Sequence, residues 1–127
     1  METILLSIKP EYVERIFKGT KLFEYRKRLP RKGVKKIIIY VTFPIMKVVG
    51  EVEIIESLSG SPSSIWEKTK NNSGISRAKY REYFSNCKTA YAYQLGSVHK
   101  FDEEKTLKDF GVSNPPQSFV YIKNWEV

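Results

Sequence analysis

Three side chains with complementary chemistry fall close together: Lys21, Glu24 and Arg26. In an extended chain, residues two apart project to the same side, so Glu24 and Arg26 share a face. An ion pair there would fix the guanidinium plane, ready to grip a phosphate with two donors or to stack on a base. Lys21 adds a point charge or, if desolvated, an amine of lowered pKa that serves as base or nucleophile. The plainer alternative is a salt bridge on an exposed strand, which is worth little. Lys9, just before Pro10, stands at the start of the first expected helix, where it can neutralise an anion or simply be a surface lysine. Tyr40, close to the Phe43-Pro44 break, is the best stacking candidate among seventeen aromatics (7 Phe, 8 Tyr, 2 Trp), most of which must be core. Ser118, after the Pro115-Pro116-Gln117 turn, can bond a ligand or stabilise the turn. It has no neighbouring histidine to activate it. The single histidine, His99, reads as a rim residue, and the single cysteine, Cys87, as a small buried apolar side chain.

The counts of one Cys and one His exclude an internal disulfide framework, a cysteine-built zinc site and any site needing two imidazoles. No cofactor and no metal are expected. Residues 1–47 hold twelve Lys and Arg against four Asp and Glu, while residues 48–127 hold ten of each, so the first third carries the whole formal charge of +8. Between Arg15 and Lys36 there are ten basic residues and one acid, Glu24. Such a field attracts polyanions; its alternative is a solvated basic surface. No apolar run approaches the ~18 residues of a membrane helix. The start METILLSIK lacks a secretory signal's basic and apolar regions, so the expected compartment is the cytoplasm.

The 127 residues are read as one domain, 1–127. Glu2 to Ile8 is a buried strand. Pro10 to Lys18 has one apolar face, acids early, bases late and Gly19 as cap, which predicts a helix. Lys21 to Arg28 is a strand with Leu22, Glu24, Arg26 and Arg28 on one face and Lys21, Phe23, Tyr25 and Lys27 on the other. Lys35 to Thr42 is a central strand. Lys47 to Ser57 is another, with a bulge at Gly50. Ser57 to Ser76 reads as an irregular insertion with a short helix at Ser63 to Lys68. A helix follows at Arg77 to Phe84, then a strand at Thr89 to Gly96, a helical turn at Glu103 to Phe110 and a last strand at Phe119 to Trp125. The absence of βαβ alternation argues for an α+β fold: a small β-barrel of about six mostly antiparallel strands with flanking helices.

The core Gly19-x-Lys21-x-x-Glu24-x-Arg26, within Ser7 to Lys27, resembles the signature of the ASCH domain (activating signal cointegrator homology), a member of the PUA-like superfamily. The resemblance continues, in order, in IYVTFPIMKVVGEV (39–52), YFSNCKTAYAY (83–93) and PPQSFVYI (115–122). It implies a PUA-like barrel whose cleft, between barrel and first helix, takes RNA or a modified nucleotide. One branch of the family hydrolyses an acetylated cytidine nucleoside with a lysine, a threonine and a glutamate. Lys21 falls on its lysine. Its threonine is Glu24 here, and Lys70 to Ala78, where its glutamate would lie, has no carboxylate. Another branch is assigned ribonuclease activity, and Tyr40, Lys47 and Ser118 lie in the corresponding blocks.

The leading expectation is a module that binds single-stranded RNA or a modified nucleotide, with no membrane role. Its site residues are Lys9, Lys21, Glu24, Arg26, Tyr40 and Ser118. The alternative is a small hydrolase, a nucleoside amidohydrolase or ribonuclease, with Lys21 central and Glu24 as its partner. A regulatory interaction module with an empty cleft is the third reading.

Overall fold

The apolar run after Met1 pairs on both sides and packs on both faces, which is why it lacks polar alternation. In the computed structural model, which describes residues 2–30 and 33–123, this strand, β1 (Glu2–Ile8), runs parallel to β3 (Val34–Val41). Every other pairing is antiparallel. The remaining strands are β2 (Phe23–Arg26), β4 (Lys47–Gly60), β5 (Ala90–Lys105) and β6 (Val120–Ile122). The six form one sheet in the order β2-β5-β4-β3-β1-β6. The helices are α1 (Pro10–Lys18), α2 (Pro62–Thr69) and α3 (Arg77–Tyr83), with single 3-10 turns at Lys70–Asn72 and Leu107–Phe110. No helix among the described residues is long and apolar enough to cross a membrane.

Ile4, Leu6, Ile37 and Ile39 face α1 and bury Val13 and Ile16. Leu5, Ile38, Tyr40, Val48 and Ile122 pack on the other face. A separate core joins Tyr25 of β2 to Ile65 of α2 and to Tyr80 and Phe84 on and after α3. The long β4–β5 pair carries the chain from one core to the other. Its bulges, one at Val48/Gly50 as the sequence suggests, bend it.

The expected barrel is instead an open, mixed sheet. Closure fails because the edge strands are short: β2 has four residues and β6 three. Three other expectations change. The strand at Thr89 to Gly96 runs on to Lys105, which leaves only Leu107–Phe110 of the expected helical turn. The insertion is mostly regular: β4 continues to Gly60, and Ser61 caps α2 by accepting a bond from the Ser64 amide. The last strand is confined to Val120–Ile122, and residues 124–125 of the expected one lie outside the described residues.

A loop after the 3-10 turn is stapled to α1 and to the start of β2. Arg15 donates to the Gly74 carbonyl at 2.8 Å, and the Lys21 amine donates to the Ser73 carbonyl at 2.8 Å. Gly74 has φ +65, and a Cβ there would lie 2.4 Å from Lys21 Cβ. Gly19, the α1 cap, has φ +83 and open space around it. Gly19→Ala should therefore cost about 1 kcal/mol of backbone strain. Gly74→Ala should cost clearly more, because strain and collision add. Urea unfolding of the two variants checks this; equal losses would show that the loop yields freely.

Tyr25 donates to Thr69 Oγ1 at 2.7 Å, and that hydroxyl donates to the Ile65 carbonyl at 2.7 Å. Burial pushes the Tyr25 phenol up to about 12. Its folded pKa is above the unfolded value, so its contribution is complete below about pH 10 and is lost as pH rises through about 12. Tyr25→Phe should lower stability at pH 8 by about 1 kcal/mol through the lost bond. The gap to wild type should narrow above pH 10. Thermal melts at pH 8 and 11 test the sign, and a constant gap would contradict it.

Candidate functional site

β6 pairs with β1 only over Thr3, Leu5 and the residue between, so β1 beyond Leu5 has no β6 partner. Arg26, on the opposite edge strand, reaches that stretch. Its Nη2 donates to the Ser7 carbonyl at 2.9 Å and to Glu24 Oε2 at 2.8 Å, and its Nε donates to the same carboxylate oxygen at 3.1 Å. Both side chains are largely buried, at 15% and 8% exposed. This leaves Nη1 of Arg26 and Oε1 of Glu24 without a partner among the described residues. The seam beside this latch is a cavity of about 370 Å³, with Ser7 and Lys9 on one side, α1 above, and α3 opposite.

Lys21, Glu24 and Arg26 converge at this cavity, with Lys9 at its mouth. Lys21 joins them by a route the alternation does not give. It precedes the strand, which starts only at Phe23. It is 2% exposed, and its amine lies 5.2 Å from the Tyr12 ring centroid and 4.8 Å from that of Tyr25. Burial lowers its pKa, with Arg26 and Arg15 acting the same way and Glu24 opposing them. Glu24 and Arg26 share a face as expected, while Tyr25 serves the second core.

Tyr40 and Ser118 are not brought to this cavity. The strand runs one residue past Tyr40, which is 2% exposed on the face opposite α1, so its ring offers no surface for stacking. Ser118 is half-buried in the segment tethered by Ser7, whose hydroxyl donates to the Pro116 carbonyl at 2.8 Å. Lys47 is half-buried at the start of β4. His99 is exposed, 3.8 Å from Glu51 Oε2. Cys87 is half-buried rather than enclosed.

Among the cavity residues that escape the sequence reading are Tyr12, Lys27, Lys79, Glu82 and Tyr83. Lys27 lies over the Tyr83 ring at 4.8 Å, and neither Lys27 nor Lys9 has an ion-pair partner among the described residues. Glu82, on α3, brings a second carboxylate to the cavity beside Glu24. A signal existed for Lys79, Glu82 and Tyr83, which recur at helical spacing, but not for the wall they face. No cluster of three or more His, Cys, Asp and Glu able to hold a metal occurs among the described residues.

A family model described as a domain of unknown function, DUF365, matches residues 1–114. ATP synthase subunit alpha of Ureaplasma parvum is 35% identical over 123 residues; the match takes 96% of this chain and 15% of that protein's length. The ASCH domain-containing ribonuclease of Zymomonas mobilis is 27% identical over 128 residues, with 96% of this chain and 85% of the relative covered. The crystal structure of ASCH from Zymomonas mobilis matches with a TM-score of 0.87 and 25% identity, over 96% of this chain and 88% of that one. With the family model spanning residues 1–114 and the Zymomonas domain sharing its whole fold, the chain belongs to the ASCH domain family.

Proposed function

We propose that the cavity binds one nucleotide of a single-stranded RNA, or a modified nucleotide. The observation that carries this reading is the pairing of a free acceptor with a free donor on one fixed unit. Glu24 Oε1 and Arg26 Nη1 have no partner among the described residues, and the bonds between the two residues hold them rigid. An acceptor beside a donor suits the edge of a base, which has the same alternation. Lys9 and Lys27 supply unpaired charge for phosphate, and the rings of Tyr12 and Tyr83 supply surface for stacking. A volume of about 370 Å³ is sufficient for a nucleotide. The name of the Zymomonas relative, a ribonuclease, supports RNA as the polymer.

That name also favours a second reading, cleavage of the bound RNA. Lys21 would be its base, since burial favours its neutral amine. The amine is engaged by the Ser73 carbonyl and flanked by two rings, so a role in holding the wall competes with one in proton transfer. Loss of RNA turnover in Lys21→Met, with binding retained, would establish cleavage.

Arg26→Ala is a poor test of binding. It would leave the buried Glu24 carboxylate unpaired, at a cost of roughly 3–5 kcal/mol in stability. Lys9 and Lys27 are exposed, and the contact of Lys27 with the Tyr83 ring, at 4.8 Å, is of the weak kind made at exposed sites. In the double variant Lys9→Ala/Lys27→Ala, affinity for a short oligouridylate should fall while the melting temperature stays put. Wild-type affinity should drop steeply between about 50 and 200 mM salt, and each lost phosphate contact should flatten the slope by about 0.7. Fluorescence anisotropy of labelled RNA measures both. Binding that ignores salt, or that is unaltered in the double variant, would remove the proposal.

A further inference from the structure

The structure has a second concave site, back to back with the first. We propose that the groove between α2 and α3 takes a neighbouring nucleotide of the same single-stranded RNA, whose backbone crosses α3. This rests on the reading of the cavity as a nucleotide site. Helix α3 has seven residues. Lys79, Glu82 and Tyr83 face the cavity, while Arg77, Tyr80 and Arg81 face the groove, which encloses about 480 Å³. One short helix therefore forms a wall of both sites.

The groove has the two components that sequence-tolerant binding of single strands requires: an aromatic floor and unspent cationic charge. Trp66 of α2 is half-buried and packs on Tyr80 with ring centroids 4.7 Å apart. Its indole N–H has no hydrogen-bond partner among the described residues. Arg77 and Arg81 are both exposed, four residues apart on one helix face, and form no ion pair among the described residues. The neighbouring base on α3, Lys79, is by contrast bound to Glu11 at 3.2 Å. The groove's one acid, Glu67, stays ionised but is paired with Lys70 at 2.8 Å, and this partly offsets its repulsion of a phosphate. A base stacked on the indole, with guanidinium groups on its flanking phosphates, satisfies all three side chains.

The chain has two tryptophans, so Trp125→Phe leaves Trp66 as the reporter. Titration of this variant with an oligouridylate of about eight nucleotides should quench the emission, whereas uridine monophosphate, which fills the cavity alone, should not. Arg77→Ala/Arg81→Ala should weaken the octanucleotide about tenfold and flatten its salt slope by about 1.4, leaving mononucleotide affinity unchanged. Both arginines are exposed, so the melting temperature should hold. If the octanucleotide saturates by anisotropy with Trp66 emission and double-variant affinity unaltered, the groove proposal is overturned and the cavity reading stands. If the wild type binds neither ligand at low salt, both fail. Quenching by an acidic peptide but not by RNA would also overturn the proposal, in favour of a protein partner.

Discussion

The carbonyl of Ser7 lies where β1 has outrun its partner, and the guanidinium that answers it governs the rest of the site. β6 has three residues and covers less than half of β1. β2, at the other margin of the sheet, has four and pairs only with β5. Neither margin is long enough to complete a backbone ladder to the other, so a side chain crosses the gap. Arg26 can do so because it is long, planar and rich in donors, and because Glu24 fixes two of those donors. A closed barrel would have filled this seam with hydrogen bonds. An open one leaves a cavity there, walled by the same residues that bridge it.

The division of labour among the charges follows from burial. Glu24, Arg26 and Lys21 are enclosed, so each must be compensated, and each spends bonds on the protein. Lys21 places its ammonium against two tyrosine rings and a backbone carbonyl, a seat that substitutes for some of the water it has lost. The close approach of Gly74 completes this seat, which ties the loop before α3 to the first helix. Lys9 and Lys27 stand in solvent, and Lys27 touches the fold only weakly, over the Tyr83 ring. Replacing them should therefore disturb stability far less than replacing any of the buried trio.

What the sequence makes legible is what local rules determine. β1, α1 and β3 have periodicity, caps and length all in agreement, and Glu24 with Arg26 needs only the two-residue repeat of a strand. The extension of β5 to Lys105 rests on pairing with β4 more than on burial, so its outer half, mostly exposed and polar apart from Phe101, carries little hydrophobic signal. Closure of the sheet depends on the lengths of two marginal strands, a property no single segment displays. Tyr40 is misplaced for a related reason: closeness to the Phe43-Pro44 break suggests access for stacking, but the ring lies within a neighbouring core. Glu82, Lys27 and Tyr83 reach the cavity only because distant segments are brought face to face.

The charge asymmetry changes its meaning once the chain is folded. Along the sequence it is a basic first third and a neutral remainder. In space, the neutral remainder is itself divided. α3 brings Arg77, Lys79 and Arg81 to the walls of the two concave sites. Asp102, Glu103 and Glu104 lie on the half of β5 remote from β2, whose pairing covers Tyr91 to Gln94. The protein is therefore more polarised than its net charge of +8 indicates. If the cavity binds RNA as proposed, this division of charge would orient the strand as well as attract it.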